Sequence, residues 1–217
     1  SKGLVGSEMC IRDRIIVLLS GVITAFVGIL FGLPSLRIKG FYLAVATLAS
    51  QFFIIWLFNK VPWFYNYSDT GQITVSERTM FGVAVTGANA PPYATYLFCL
   101  ILVVVLGFAA KNMIRSKIGR SWMAIRDMDI AAEIIGVPPL KTKLSAFAIS
   151  SFYIGIAGSL YFAVYLGALE VTESFDIMAI SFPVLFMIII GGLGSMLGSF
   201  LGAAFIAVSY THLRAHE

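Results

Sequence analysis

The composition of the chain excludes an ordinary soluble domain. Of its 217 residues, 59% are hydrophobic and only 12% are charged, with a formal net charge of +4, whereas a soluble domain is about 45–50% apolar and about 25% charged. Because a helix that spans a bilayer needs about 20 mostly apolar residues, the sequence predicts an all-α, polytopic transmembrane bundle of about five or six spans.

The two ends of the chain differ from the rest. Residues 1–14 and 208–217 interrupt the apolar pattern, and both strings resemble translated sequencing-adapter read-through. We therefore expect both termini to be non-native and set them aside, as one would a tag. The remaining residues, 15–207, are predicted to form the transmembrane domain.

Four apolar runs follow one another, and a fifth apolar region is interrupted by glycines. The runs are 15–33, 41–58, 93–110 and 144–166, and the interrupted region is 177–207. The link 111–143 is the most basic part of the chain, so the positive-inside rule places it in the cytoplasm. Alternation then places the link 34–40 on the same side and the links 59–92 and 167–176 outside.

An amphipathic helix is predicted in the basic link, over 121–136. Ser121 is the expected N-cap, and Gly136 suits the C-terminus. The apolar face comprises Trp122, Ile125, Met128, Ala132 and Ile135, and the charged face comprises Arg126, Asp129 and Glu133. The helix either lies against lipid or its own bundle, or docks on a soluble partner. The mixed charges favour a protein groove over an anionic lipid surface.

Small residues recur at four-residue spacing, which lets helices approach closely in lipid. The stripes are Gly194, Gly198 and Gly202, with Ser195, Ser199 and Ala203 beside them; Ser151, Gly155 and Ser159; and Gly28 with Gly32. Most of these residues are expected to serve helix packing. The Gly191-Gly192 pair follows an apolar run too short to span alone, which predicts a discontinuous helix near a transmembrane pathway.

The predicted spans contain no Asp, Glu, Lys, Arg or His. Proton- or cation-coupled carriers commonly place such groups in the membrane, so this pattern argues against a secondary transporter. The candidate pathway and packing residues are Thr47, Gln51, Gly191, Gly192, Gly194, Ser195 and Gly198. The sequence also has no phosphate-binding G-x-x-x-x-G-K-[ST] motif and no nucleophile–base pair, paired carboxylates or metal-ligand cluster in the spans. It therefore predicts a protein that is not an enzyme and holds no cofactor or metal.

Four stretches resemble the branched-chain amino-acid ABC permeases of the LivM type. They are 40–49, 125–136, 143–152 and 191–203, and they occur in the family's order. The stretch 67–73 keeps only part of a glycine-rich motif that the family carries in this outer link. The resemblance implies that seven residues couple the chain to an ATP-binding subunit: Trp122, Ile125, Arg126, Asp129, Ala132, Glu133 and Gly136.

The resemblance also implies the setting in which the chain works. It implies a multi-pass protein of the bacterial cytoplasmic (inner) membrane, in contact with lipid and not with nucleic acid. The implied partners are a second permease subunit, two cytoplasmic ATPases that hold ATP and Mg, and an extracytoplasmic solute-binding protein. Branched-chain amino acids or similar small neutral or zwitterionic solutes are the implied cargo, although close relatives serve urea and short amides. The alternatives are a stand-alone secondary transporter or channel and, third, an integral membrane enzyme.

Overall fold

The structure is a computed structural model that describes residues 2–36, 41–65, 67, 72–74, 78–80, 83–86, 91–170, 180–192 and 194–214. Its helices are α1 Lys2–Ser35, α2 Phe41–Lys60, α3 Pro92–Arg115, α4 Lys117–Asp127, α5 Asp129–Ile134, α6 Pro139–Leu160, α7 Phe182–Gly191 and α8 Met196–Arg214. A π-helical turn, Tyr161–Leu166, extends α6, and a 3-10 turn, Pro62–Tyr65, follows α2. The prediction of an all-α membrane fold is confirmed.

Three helical segments are long and apolar enough to cross a membrane. They are Ile15–Pro34, Pro92–Arg115 and Pro139–Leu166. Three further apolar helical segments are shorter: Val45–Lys60, Phe182–Gly191 and Met196–His212. Apolar side chains are exposed along all of them, and in the described part of the chain only Ile125, Ala132 and Ile156 are buried hydrophobic residues. This surface suits lipid and neighbouring helices better than water, so the chain is a membrane protein.

Helices α1 and α6 pack closely and run antiparallel. Gly21 faces Phe152 and Ile156, whereas Gly32, three turns later on α1, faces Phe147 and Leu144. Between these levels, a Cβ on Gly28 would overlap the Ser151 side chain. The predicted small-residue stripes on these two helices therefore meet each other, as expected for packing in lipid.

Helices α7 and α8 form an antiparallel hairpin. A Cβ on Gly191 would overlap the Gly198 carbonyl group, and one on Gly202 would overlap the Met187 carbonyl oxygen, so the two backbones touch. The turn has positive φ angles at Gly192 (+90°) and Gly194 (+93°), which favour glycine. Ser195 caps α8, because its Oγ accepts the Gly198 N–H at 3.1 Å. The interruption predicted at Gly191-Gly192 is present, but the two helices fold back on each other instead of continuing as one discontinuous span.

Short strands join the two links that were predicted to lie outside. β1 (Gln72–Thr74) pairs antiparallel with β4 (Ala168–Glu170), so that Ile73 is opposite Leu169. β2 (Arg78–Met80) pairs antiparallel with β3 (Val83–Thr86). The β1–β4 pair brings residues 72–74 and 168–170, the paired parts of these two links, together at one end of the bundle. The sequence did not predict these strands. Residues 37–40 and most of the 67–73 motif lie outside the described residues.

Candidate transport pathway and coupling segment

A cavity of about 330 Å³ lies between α1, α2 and α6. Its polar lining consists of Thr24, Thr47, Ser50, Gln51 and Ser151; its apolar lining consists of Val27, Gly28, Phe31, Ile54, Ile55 and Phe147. We call it the polar pocket after these five polar side chains, although most of its accessible lining is apolar. Its volume lies at the lower end of the range of about 300–1,000 Å³ that is usual for small-molecule sites. None of these described lining residues is ionisable, so the pocket offers hydrogen bonds without a fixed charge.

Two of the polar side chains of the pocket bond to the helix that carries them. The Ser50 hydroxyl donates to the Ala46 carbonyl oxygen at 2.9 Å, and the Thr24 hydroxyl donates to the Ser20 carbonyl oxygen at 2.8 Å. Gln51 instead reaches another element, because its Nε2 donates to the Ser181 Oγ at 3.2 Å. Ser181 immediately precedes α7. This hydrogen bond therefore links the polar pocket to the α7–α8 hairpin.

The structure brings together only part of the predicted pathway set. Thr47 and Gln51 line the polar pocket. The glycines and Ser195 lie instead in the hairpin and its turn, where Gly194 faces the Arg126 side chain of α4. Thr24, Ser50 and Ser151 also line the pocket, and sequence reasoning did not select Thr24. Thr24 could have been found from its position, because it lies four residues before Gly28 on the same face of α1 as the small residues.

The predicted continuous helix over 121–136 is wrong. Met128 has extended backbone angles (φ −152°, ψ 99°) and separates α4 from α5. Ser121 is not an N-cap, because α4 begins at Lys117 and the Ser121 hydroxyl donates to the Lys117 carbonyl oxygen within the helix. We call residues 117–137 the α4–α5 segment.

The predicted C-terminus at Gly136 is confirmed. Gly136 has a φ of +89°. Its N–H donates to the Glu133 carbonyl oxygen at 3.0 Å, and the Val137 N–H donates to the Ala132 carbonyl oxygen at 3.0 Å. This pair of hydrogen bonds is a Schellman motif, which requires a left-handed residue at this position.

Side-chain contacts fix the α4–α5 segment to the start of α6. The Trp122 Nε1 donates to the Ser145 Oγ at 2.9 Å, and the Lys143 Nζ donates to the Asp129 Oδ2 at 2.5 Å. Ile125 and Ala132 are buried beside these contacts. Four of the seven predicted coupling residues therefore face their own bundle. Their packing explains the break at Met128, because two anchors on one helix direct α4 and α5 separately.

The opposite side of the α4–α5 segment is exposed and largely apolar. Met128, Ile130, Ile134 and Ile135 are 70–81% exposed. Arg126, Glu133 and Gly136 are also exposed. Met128 and Ile135 were predicted to lie on the buried apolar face, and this was wrong, because the break at Met128 leaves both side chains exposed. Ile130 and Ile134 were missed, although their i, i+4 spacing was a signal of a second apolar stripe.

No metal centre is formed by the part of the chain that the structure describes, because no group of three or more His, Cys, Asp or Glu side chains there could hold an ion. The chemistry that these residues offer is therefore hydrogen bonding in the polar pocket and contact on the exposed α4–α5 surface. Neither arrangement contains a nucleophile beside a base.

Comparisons with known proteins identify the family of the chain. A family model described as "Branched-chain amino acid transport system / permease component" matches residues 10–215. Two relatives are the high-affinity branched-chain amino acid transport system permease proteins LivM of Salmonella typhimurium and of Escherichia coli. The chain is 32% identical to each of them over 216 residues. Each alignment covers 90% of this chain and 50% of the relative.

A more distant relative is the autoinducer 2 import system permease protein LsrC of Klebsiella pneumoniae, 28% identical over 185 residues, which cover 84% of this chain and 49% of the relative. The chain thus spans about half the length of the curated relatives it matches. No solved structure matches it. Because the family model covers nearly the whole sequence, the chain belongs to the family of permease components of branched-chain amino acid transport systems.

Proposed function

We propose that this chain forms part of the membrane-embedded subunit of an ATP-driven importer in the bacterial cytoplasmic membrane. The observation that carries the proposal is the exposed surface of the α4–α5 segment. Ile130, Ile134 and Ile135 are 75–81% exposed, on a segment that two hydrogen bonds fix to α6. A fixed apolar surface at the end of a membrane bundle is suited to a protein partner.

The partner that fits this surface is a cytoplasmic ATPase. Glu133 lies among the exposed isoleucines, and Arg126 lies at the other side of the break, so the surface combines apolar area with charges of both signs. Anionic lipid would favour a strongly cationic surface instead. The complete importer would contain a second permease subunit, two ATPases that bind ATP and Mg²⁺, and an extracytoplasmic solute-binding protein.

The cargo that we propose is a branched-chain amino acid or a similar small neutral or zwitterionic solute. The polar pocket supports this choice, since its hydroxyl and amide groups can exchange hydrogen bonds with a solute while its apolar lining accommodates an aliphatic side chain. The two LivM relatives are named for branched-chain amino acid transport. The relative named for autoinducer 2 import makes the solute the first property to measure.

The test is transport by the intact importer in proteoliposomes, with ATP inside and labelled leucine supplied with the binding protein. We expect uptake that needs ATP. Glu133→Lys reverses the charge on the docking surface, and Gly136→Pro cannot adopt the φ of +89°, so both variants should hydrolyse ATP with little uptake. Glu133→Gln and Gly158→Ala are the controls, because a Cβ on Gly158 meets nothing within 4 Å.

Two outcomes would contradict the proposal. Full leucine uptake by both Glu133→Lys and Gly136→Pro would remove the coupling role of the α4–α5 segment. Uptake that persists without ATP and collapses with the proton gradient would identify a secondary transporter. If ATP drives uptake of another solute, such as urea, only the choice of cargo would change.

A further inference from the structure

The α7–α8 hairpin touches both parts of the candidate site. At its turn, Gly194 lies against α4, where the Arg126 Nη1 would be 3.1 Å from a Cβ on that glycine. At the start of α7, the Ser181 Oγ accepts the Gln51 amide at 3.2 Å. Arg126 belongs to the α4–α5 segment and Gln51 belongs to the polar pocket, so the hairpin lies between the two regions whose movements an importer must link.

Physical complementarity supports each attachment. The turn follows the C-terminus of α7, where unpaired carbonyl groups give the helix end a partial negative charge. The Arg126 guanidinium, whose Nε donates to the Asp127 Oδ1 at 3.0 Å, places its Nη1 beside this negative helix end. At the other end, a side-chain amide of α2 donates to a hydroxyl at the start of α7, the kind of hydrogen bond that joins helices in lipid.

The hairpin is built to move as one body. Gly191 and Gly198 bring the two backbones into direct contact, and Gly202 does the same against Met187. A side chain at any of these glycines would force the helices apart, so little relative sliding is available. The ten residues of α7 extend about 15 Å. A displacement of the turn would therefore also move the start of α7, which lies about half the thickness of the hydrocarbon core away and contacts Gln51.

We propose that the α7–α8 hairpin transmits movement of the α4–α5 segment to the polar pocket, with Arg126–Gly194 and Gln51–Ser181 as its two attachments. Arg126 and Ser181 are then positioning residues that act through the hairpin. This inference rests on the proposed function, because it supplies the mechanical link between ATP hydrolysis and the pathway. Helix α6 is a first connection between the two regions, because Ser145 accepts the Trp122 N–H while Phe147 and Ser151 line the pocket; the hairpin supplies a second one.

A double-mutant cycle on the intact importer tests the link. Arg126→Ala and Ser181→Ala each remove one attachment, and the readout is leucine moved per ATP hydrolysed. Each single variant should lower this ratio about two- to tenfold: Ser181→Ala loses the hydrogen bond from Gln51, and Arg126→Ala loses the guanidinium beside the end of α7. Sites this far apart normally have independent effects, which multiply. If the hairpin transmits movement only when both attachments are present, losing the second attachment adds nothing. The double variant should then move as much leucine per ATP as the more impaired single variant.

Conservative variants separate transmission from loss of structure. Arg126→Lys keeps the positive charge and Ser181→Thr keeps the hydroxyl, so both should restore most of the ratio. Ser199→Ala is the matched control, because among the described residues the Ser199 hydroxyl donates only to the Ser195 carbonyl oxygen of its own hairpin, at 3.2 Å. Size-exclusion chromatography of each assembled complex would show that the variants are intact.

The outcomes are distinguishable from failure of the proposed function. Effects that multiply in the double variant, or a wild-type ratio in either alanine variant, would overturn the hairpin link while ATP-driven uptake by the wild type still stands. Absence of ATP-driven uptake in the wild type would overturn both proposals together. A non-multiplying double variant with rescue by the conservative replacements would support the link.

Discussion

Replacing Gly155 by alanine should separate α1 from α6. A Cβ at this position would lie 2.6 Å from the Thr24 Oγ1 and 3.0 Å from the Gly21 Cα. The second distance is to backbone, so a rotamer change cannot relieve it. Overpacking of this kind costs about 1–3 kcal/mol. Replacement of a helix-interior glycine also contributes up to about 1 kcal/mol of helix propensity in the opposite direction.

Gly158→Ala is the matched control, three residues along the same helix, where a Cβ meets nothing within 4 Å. Both variants gain the same helix propensity, so the difference between them isolates the overlap. We expect Gly155→Ala to be less stable than Gly158→Ala by about 1–3 kcal/mol, which corresponds to roughly 2–12 °C in Tm for a chain of this size. The assay is thermal unfolding of the purified intact protein in one detergent, followed by tryptophan fluorescence. Equal Tm values for the two variants would refute close packing of α1 on α6.

Two further predictions concern the anchors of the α4–α5 segment. Lys143→Ala removes the 2.5 Å contact to the Asp129 Oδ2. The control, Lys141→Ala, removes a lysine that has no ion pair among the described residues. We expect faster amide hydrogen exchange of α5 in Lys143→Ala only, by a factor that corresponds to about 1 kcal/mol. Equal exchange in both variants would show that the ion pair does not hold α5. Trp122→Phe removes the 2.9 Å hydrogen bond to Ser145 and keeps most of the apolar contact. Amide hydrogen exchange in α4 should therefore become about two- to tenfold faster. Unchanged exchange would show that apolar packing alone fixes α4.

The spans could be predicted because the membrane imposes a simple local rule. Runs of about 20 apolar residues are required, and three helical segments of the structure fulfil it, at Ile15–Pro34, Pro92–Arg115 and Pro139–Leu166. The role of Gly198 and Gly202 was also predictable, since small residues at four-residue spacing form one face of a helix. Their partners were not predictable, because Gly191 and Met187 are brought opposite only by the sharp turn at Gly192 and Gly194.

The break at Met128 could not be predicted from local sequence. Residues 121–135 contain neither proline nor glycine, and their apolar spacing is compatible with one helix. The break arises from contacts with Lys143 and Ser145, which lie on another helix. Tertiary contacts can override local propensity in this way. The same applies to the β1–β4 pair, whose three-residue strands are too short to show a period and are far apart in sequence.

The arrangement of the elements shows, without any use of charge, which links share one end of the bundle. The β1–β4 pair joins the links 59–92 and 167–176 at one end of the bundle. At the other end lie the α4–α5 segment, the hairpin turn at Gly194, and Gly32 of α1, which faces Leu144 near the start of α6. The order of elements therefore divides the links into the same two groups that the positive-inside rule gave. The structure therefore supports the grouping of the links, and the basic character of the link 111–143 favours the cytoplasm for the α4–α5 end. In the opposite orientation, the exposed surface of the α4–α5 segment would face the solute-binding protein and the β1–β4 pair would face the ATPase. The coupling proposed between ATP hydrolysis and the α4–α5 segment would then be impossible.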